Sequence, residues 1–391
     1  MKAIISGAGI AGLAAAYELG RAGWDVVVLE KADSLRDGGY MIDFFGPGYD
    51  AAEANGLLDA FARHARKVEG VELVNADGSR QGYMSYRSFA APLGGRLFSL
   101  MRCDLERVLF NALGPNVDLR FGTRIETVDN GPASVDIVTS AGDRLHGDVL
   151  IGADGIHSPL RAQLFTPEPR VLRYLGYHTA AYIFRSGAVA KAVQDRFLML
   201  SLPDRQAGLY RMEGDSVAVY FIWRDTRPER ADDAAAAIRE NFGDLGWLVP
   251  ETLAAMPPNA EIYYDVVAQI EADQWCNGRV ALLGDAAFAV SLLAGQGASL
   301  AMGGAHVLAQ QLASQADVPT ALARYDTILR PEVVKKQAAG RKAADWIVPH
   351  SPFRVWLRAR VFNLSSLPFV SRVFERLVAT SPKGVFTKKR S

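Results

Sequence analysis

Residues 2–31, KAIISGAGIAGLAAAYELGRAGWDVVVLEK, read as a strand over 3–6, a glycine turn, a helix over 10–22 and a second strand over 25–30. Gly7, Gly9 and Gly12 have the G-x-G-x-x-G spacing of a dinucleotide-binding βαβ unit. Gly7 lets the chain turn sharply off the strand. Gly9 carries no Cβ, so a pyrophosphate can approach the backbone, and Gly12, with Ala16 a turn later, lets the helix lie close to the sheet. The helix start at Ile10 and Ala11 offers free N–H groups and partial positive charge to phosphates. Glu30, 18 residues after Gly12, is placed to accept hydrogen bonds from ribose hydroxyls, and Lys31 follows it. Strand, helix and placed acid agree, which a lone glycine turn does not provide. The stretch does not by itself separate one dinucleotide from another.

The chain has 391 residues, enough for one large or two ordinary domains with a substantial core. It is 49% hydrophobic and 22% charged, the balance of a soluble globular protein. Lys+Arg and Asp+Glu both number 43, so no net field argues for nucleic acid. Cys103 and Cys276, with no C-x-x-C, point to a reducing compartment and no structural metal. No apolar run is long enough to span a bilayer and no signal-peptide layout precedes the first strand, so a cytoplasmic location is expected.

Further along, GGYMIDFFG (38–46) sets paired glycines before an alternating apolar run, a chain passing close to something flat or to another backbone. A helix is expected from 47–55 continuing into 57–64, a hairpin over 72–86 turned at Asp77-Gly78, and an amphipathic helix over 100–113 with Arg102 and Asp104 near its start. Short strands follow over 117–124, 127–128, 135–140 and 144–146. A buried strand over 149–151 then runs into Gly152-Ala-Asp154-Gly155-Ile-His157-Ser158-Pro159-Leu-Arg161, a turn opening a helix with Ser158 as cap. Alternating runs over 177–185, 196–202, 208–212 and 216–223, without intervening helices, predict an antiparallel sheet separate from the parallel one. A helix over 232–242 and a strand over 261–270 follow. RVALLGDAA (279–287) is a buried strand ending in Gly284-Asp285; after a loop, Gly295-Gln296-Gly297-Ala298 opens a small-residue helix over 299–314. A helix over 319–339, divided at Pro331, precedes an Arg- and aromatic-rich amphipathic segment over 353–377 and the basic Lys388-Lys389-Arg390.

Taken together and in this order, residues 7–30, 152–161 and 284–298 resemble the FAD-dependent aromatic hydroxylases of the para-hydroxybenzoate hydroxylase type. The resemblance runs from residue 2 to about residue 330, and stretches 38–58 and 101–113 are most similar to the tetracycline-inactivating and polyketide-tailoring monooxygenases. It implies an α/β fold: a Rossmann-like FAD-binding domain (1–70, 98–170 and 274–330), a second, mostly antiparallel-sheet substrate domain (71–97 and 171–273) and a C-terminal helical segment (331–391). It also implies roles. Gly7, Gly9, Gly12 and Glu30 hold the ADP half of FAD, and Arg102 reaches the pyrophosphate, where a planar bidentate donor suits better than lysine. Asp154 lies near both FAD and a visiting NADPH or NADH. Asp285 binds the ribityl chain, and Gly295–Ala298 lies under the flavin ring, where helix-start N–H groups stabilise negative charge. Arg36 and Asp43 match, more loosely, polar residues beside the isoalloxazine. Where the family usually has His and Pro, this chain has Phe288 and Leu292, which makes the flavin front face more apolar.

The implied reaction is NAD(P)H reduction of FAD, capture of O₂ as a C4a-hydroperoxide and oxygen transfer to a bulky aromatic or polyketide-type small molecule. No catalytic base is named. Bland readings stand beside the functional ones. Beside its place near the cofactor Asp154 can cap its turn; Arg36 and Asp43 are equally a solvated pair, Arg196 reads as a surface arginine, and His157 and His178 as ordinary polar residues. Of the aromatic residues Tyr182, Phe184, Phe197, Tyr210, Tyr220 and Phe221, most are core and some line a substrate cavity if one sheet face covers the flavin. An oxidase or dehydrogenase on the same frame, and a non-enzymatic nucleotide-binding or membrane-associated protein, are the competing functions. The basic flanks of the last segment keep a peripheral membrane contact open.

Overall fold

The computed structural model describes residues 1–35 and 40–365. The opening stretch forms β1 (Lys2–Ser6), α1 (Ile10–Arg21) and β2 (Asp25–Leu29). Next come β3 (Met41–Phe45), α2 (Pro47–Ala54), α3 (Leu58–His64) and the hairpin β4 (Gly70–Val74) and β5 (Arg80–Ser85). A short α4 (Tyr86–Ala90), then β6 (Leu97–Met101) and α5 (Arg102–Asn111), lead to β7 (Val117–Arg120). The strands β8 (Ile125–Asn130), β9 (Val135–Thr139) and β10 (Arg144–Gly147) form their own three-stranded sheet, and β11 (Val149–Gly152) and α6 (Pro159–Leu164) follow. The chain continues through β12 (Leu172–Arg185), α7 (Gly187–Val193), β13 (Arg196–Leu202), β14 (Arg205–Arg211) and β15 (Ser216–Arg224). Two helices, α8 (Ala234–Phe242) and α9 (Val249–Ala254), separate these from β16 (Tyr263–Ile270), β17 (Cys276–Asn277) and β18 (Val280–Leu282). Four helices close the described chain: α10 (Asp285–Phe288), α11 (Gly297–Ser314), α12 (Val318–Ile347) and α13 (Pro352–Asn363).

Two large sheets result. The first has six strands in the order β17-β18-β11-β1-β2-β7, parallel except for the β17 edge. Its central strands are apolar on both faces, as a parallel sheet covered on both sides requires. Helices α1 and α11 pack together on one face, and their small residues, including Ala14, Ala15, Ala301 and Ala305, permit close approach. The carboxyl ends of β1, β2, β11 and β18 lead directly into Gly7, Glu30, Asp154 and Gly284-Asp285. Four chemistry-bearing turns thus meet at one sheet edge, where open α/β sheets take their ligands.

The second sheet has seven strands, β16-β12-β15-β14-β13-β4-β5, antiparallel except for β13 beside β4. Strand alternation divides its aromatic residues. Tyr182, Phe184, Phe221 and Trp223 join the core beneath α8 and α9, while Phe197, Tyr210 and Tyr220 point to the other face. There Phe197 and Tyr210 meet the β3–β6 ribbon while Tyr220 packs toward α12, and the Tyr210 hydroxyl accepts from the Met41 N–H at 2.5 Å. The ribbon in turn is fastened to α11: Ser299 Oγ accepts from the Gly48 N–H at 2.8 Å and donates to the Phe45 carbonyl.

Several expectations are corrected. Leu100 and Met101 are strand rather than helix, because they pair with Ile42 and Met41. The helix expected through 47–64 breaks at Gly56, whose φ of +71° ends α2. Pro331 does not divide its helix: α12 continues through it, since Leu329 and Val333 on either side are held in the core and outweigh one lost backbone bond. The short helix α7, capped by Ser186, gave no periodic signal. Of the segment over 353–377, α13 accounts for the start; the rest, and Arg36, Gly38 and Gly39, lie outside the described residues.

Candidate functional site

A cleft of about 530 Å³ opens at the carboxyl ends of β1, β2 and β11, with Gly7, Gly9, Glu30, Lys31, Arg102 and Asp154 in its walls. Gly12 is there because nothing larger fits: a Cβ on it would lie 1.8 Å from the Gly7 carbonyl oxygen. Gly9 is the opposite case. A Cβ there would meet nothing nearer than Arg102 Nη2 and Glu106 Oε1, each at 3.9 Å, so the space in front of it is open to a ligand. Gly9 also caps α1 without any side-chain hydrogen bond, which leaves the amides of Ile10 and Ala11 at an undecorated helix start. Glu30 accepts from Ala8 N–H at 2.8 Å through one oxygen and from Ala32 N–H at 2.9 Å through the other, so its carboxylate is fixed across the turn.

Arg102 begins α5 and pairs with Glu106 one turn on, at 3.2 Å. Burial opposes its charge, yet Glu106, Tyr40 and Asp285 more than compensate and its pKa lies above the ordinary arginine value. Asp285 retains accessible surface although protein encloses it; burial, with Asp265 nearby, raises its pKa while Arg102 opposes the rise. Accessible surface on an enclosed carboxylate places Asp285 on the wall of an interior space. Tyr40 and Tyr263, with ring centroids 5.7 Å apart, flank the same cluster, and burial raises both phenols. These two tyrosines and Asp265 carried no sequence signal, because they come from β16 and from the residue just before β3.

A Cβ on Gly297, at the start of α11, would lie 3.8 Å from Asp285 Oδ1. Gly295 stands one residue before Gln296, in the left-handed region, and Ala298 follows in the first turn. Gln296 is 5% exposed, and its Oε1 has no hydrogen-bond partner. A Cβ on Gly46, at the end of β3, would come within 3.7 Å of that oxygen. Gly284, at φ +64°, presses against α1, where a Cβ would lie 2.7 Å from that of Ala11. Asp43, on the face of β3 that carries Met41, accepts from Ser99 Oγ at 2.6 Å and from the Tyr86 hydroxyl at 3.4 Å; burial raises its pKa. Asp43 is therefore held by two hydroxyls of the protein, while Arg36 lies outside the described residues.

Other candidates have structural employment. Asp154 accepts from Ser158 Oγ at 2.5 Å and from Leu160 N–H at 3.1 Å, so it caps its turn as well as lining the cleft, and burial raises its pKa. Arg161 is fully buried and holds main-chain carbonyls. Arg196 donates to Glu72 and to the Ala192 carbonyl, and His178 is buried between the Tyr264 hydroxyl and the Arg227 carbonyl. Phe288 corrects an expectation: it packs on Trp275, ring centroids 4.9 Å apart, and turns into the core instead of making the site's front face apolar. Among the described residues no group of three His, Cys, Asp or Glu is arranged to hold a metal.

The donor set fits FAD. A helix start and Arg102 are donors of the kind a pyrophosphate needs, Glu30 and Asp285 are acceptors of the kind hydroxyls need, and the unpartnered Gln296 Oε1 and the open space at Gly9 leave room for a ligand. The family model described as "FAD binding domain" matches residues 1–337. An uncharacterized protein of Mycobacterium tuberculosis is 33% identical over 330 residues, 80% of this chain and 85% of its own length. A flavin-dependent monooxygenase from an unknown prokaryotic organism is 30% identical over 346 residues, covering 87% of this chain and 88% of that protein. Among solved structures, the tetracycline destructase Tet(55) superposes with a TM-score of 0.82 at 26% identity, over 96% of this chain and 97% of that one. The chain belongs to the FAD-binding domain family and, within it, to the flavin-dependent monooxygenases.

Proposed function

We propose that this protein binds FAD in the cleft described above, accepts reducing equivalents from NADPH or NADH, and transfers one oxygen atom to a bulky aromatic or polyketide-type small molecule. The observation that carries the reading is that Arg102 borders the open space at Gly9 and interacts electrostatically with Asp285, which in turn lies beside Gly297. On this reading Gly7, Gly9, Ile10, Ala11, Gly12, Glu30 and Lys31 hold the adenosine half, and Arg102 neutralises the pyrophosphate. Asp285 binds the ribityl hydroxyls. Gly284, Gly295, Gly297 and Ala298 would hold the ring end, where helix-start N–H groups could stabilise negative charge on it. Asp154 borders the cleft, and Asp43 is assigned to the ring. When bound, reduced FAD supplies the activation of dioxygen.

The chain's own residues do the rest. The seven-stranded sheet presents Phe197 and Tyr210 toward the β3–β6 ribbon, with Tyr220 beside Phe197 on the same face, an apolar wall with hydroxyls that would exclude water and orient a planar substrate. The domain division is proposed along the same lines: residues 1–70, 98–170 and 274–330 for FAD, and 71–97 and 171–273 for substrate. A solved relative in name acts on tetracycline, and a polycyclic phenol of that kind suits the wall. Purified protein is incubated with NADPH or NADH, ¹⁸O₂ and a panel of polycyclic phenols and quinolones. A product heavier by one labelled oxygen supports the reading. Reduced cofactor consumed with peroxide as the only product from every compound, or product oxidised without label, overturns it in favour of an oxidase or dehydrogenase.

A further inference from the structure

Helix α13 is apolar on two sides. Its inner side, Val355, Ala359 and Phe362, is packed against the second sheet, meeting Leu73 and Met84. Arg358 anchors it: the guanidinium is 2% exposed and donates to the Ile347 carbonyl at 2.5 Å, to Gln206 Oε1 at 3.0 Å and to Ser201 Oγ, which closes the carboxyl end of α12. The outer side carries Phe353 at 65% exposure, Trp356 at 47%, Leu357 at 37% and Leu364 at 48%, residues at helical spacing. Phe353 and Trp356 stack with centroids 5.9 Å apart, and the Arg360 guanidinium lies 5.3 Å from the Trp356 ring centroid. Trp346, at the end of α12, is also exposed.

Charge decides what fits this face. After Asp345 the sequence contains nine Lys or Arg and a single acid, Glu375, in a chain whose totals are 43 and 43. No Asp or Glu occurs over residues 346–374, which include the whole of α13. Asp345, 3.9 Å from Arg354, is an acid beside the face. An aromatic stripe in an otherwise cationic segment is the composition of a helix that lies in the interface of an anionic bilayer, with Trp and Phe at headgroup depth and Arg snorkelling to phosphate. No described helix is long and apolar enough to cross a membrane. We propose that the outer face of α13 docks this enzyme on an anionic lipid surface, bringing the substrate side of the second sheet close to compounds that partition into membranes.

The test uses the full-length, FAD-loaded protein and sedimentation with vesicles of phosphatidylcholine containing one quarter phosphatidylglycerol, beside vesicles of phosphatidylcholine alone. The expected result is binding to the anionic vesicles, at least tenfold weaker on the neutral ones and weakened by salt. The triple variant F353S/W356S/L357S is expected to reduce binding about tenfold with an unchanged flavin absorption spectrum, and R354E/R360E to do the same by charge. No binding to anionic vesicles overturns the proposal. Equal binding to both vesicle types overturns the charge argument. Wild-type binding by both variants places the surface elsewhere, and self-association without vesicle binding assigns the face to a second copy. None of these readouts depends on turnover, so they stand apart from the test of the proposed reaction.

Discussion

Arg161 Nη1 donates to the Ala286 carbonyl at 2.9 Å, linking the turn after β11 to the residue just past Asp285. Nη2 donates to the Ile156 carbonyl at 2.7 Å and pairs with Glu168 at 3.3 Å. A residue that reads as part of a ligand motif therefore acts on the backbone: it fixes two motif turns relative to one another from inside the protein.

Replacing it tests that role. Arg161→Met leaves two buried carbonyls without donors and should cost about 3 kcal/mol of stability in chemical denaturation. Arg161→Lys should recover only part, since an ammonium cannot span both carbonyls. Unchanged denaturation midpoints for Arg161→Met would show that the bracing is dispensable.

The glycine turn yields a contrast between neighbours. Gly12→Ala forces a methyl into the Gly7 carbonyl at 1.8 Å, so backbone must move and the purified variant is expected to be destabilised and colourless. Gly9→Ala meets no protein atom within 3.9 Å, so folding should change by less than about 0.5 kcal/mol while FAD affinity falls. Equal loss of stability in both variants would refute the separation.

Asp285 gives a pH-dependent outcome. Burial raises its pKa, so its ionisation costs the FAD-free protein stability, absent below the ordinary carboxylate value near pH ~4 and growing as pH rises through the folded value. Asp285→Asn should therefore leave the FAD-free protein at least as stable at neutral pH. FAD binding should weaken about thirtyfold, the worth of one charge-assisted hydrogen bond of about 2 kcal/mol. Thermal melts of stripped protein and a flavin fluorescence titration measure the two halves.

His157 titrates with the opposite sign. Its Nε2 lies 3.5 Å from Asp265 and its Nδ1 3.0 Å from Glu168; the Asp265 bond, with that to Glu168, outweighs burial and raises the imidazole pKa. The pairing stabilises the fold fully below about pH 6.5 and is lost as pH climbs through the higher folded value. In melts between about pH 6 and pH 8, His157→Gln should flatten the decline in wild-type stability with rising pH. A parallel decline in both proteins would mean the ring contributes nothing.

Local pattern carried most of what the sequence disclosed. The β1–α1–β2 unit was readable because glycine spacing, helical period and the acid at Glu30 lie within thirty-one residues and each has a backbone cause. What joins distant segments was not. Tyr40, Tyr263 and Asp265 meet Asp285 only through chain reversal, and Leu100 reads as helix until its partner strand at Ile42 is known. Phe288 was misjudged for the same reason: its neighbour Trp275 sits on a different element.

Helix α12 also bears on how the molecule comes apart. Gln337 donates to the Ile270 and Ala289 carbonyls at 2.7 Å and 3.1 Å, Gln269 returns a bond to the Gln337 carbonyl, and Arg341 reaches Gln269 Oε1 at 2.8 Å. One helix is thus riveted both to the edge of the second sheet and to the loop that follows Asp285 in the first. Melting either sheet breaks bonds that α12 makes to the other, so a single calorimetric transition is the expected outcome.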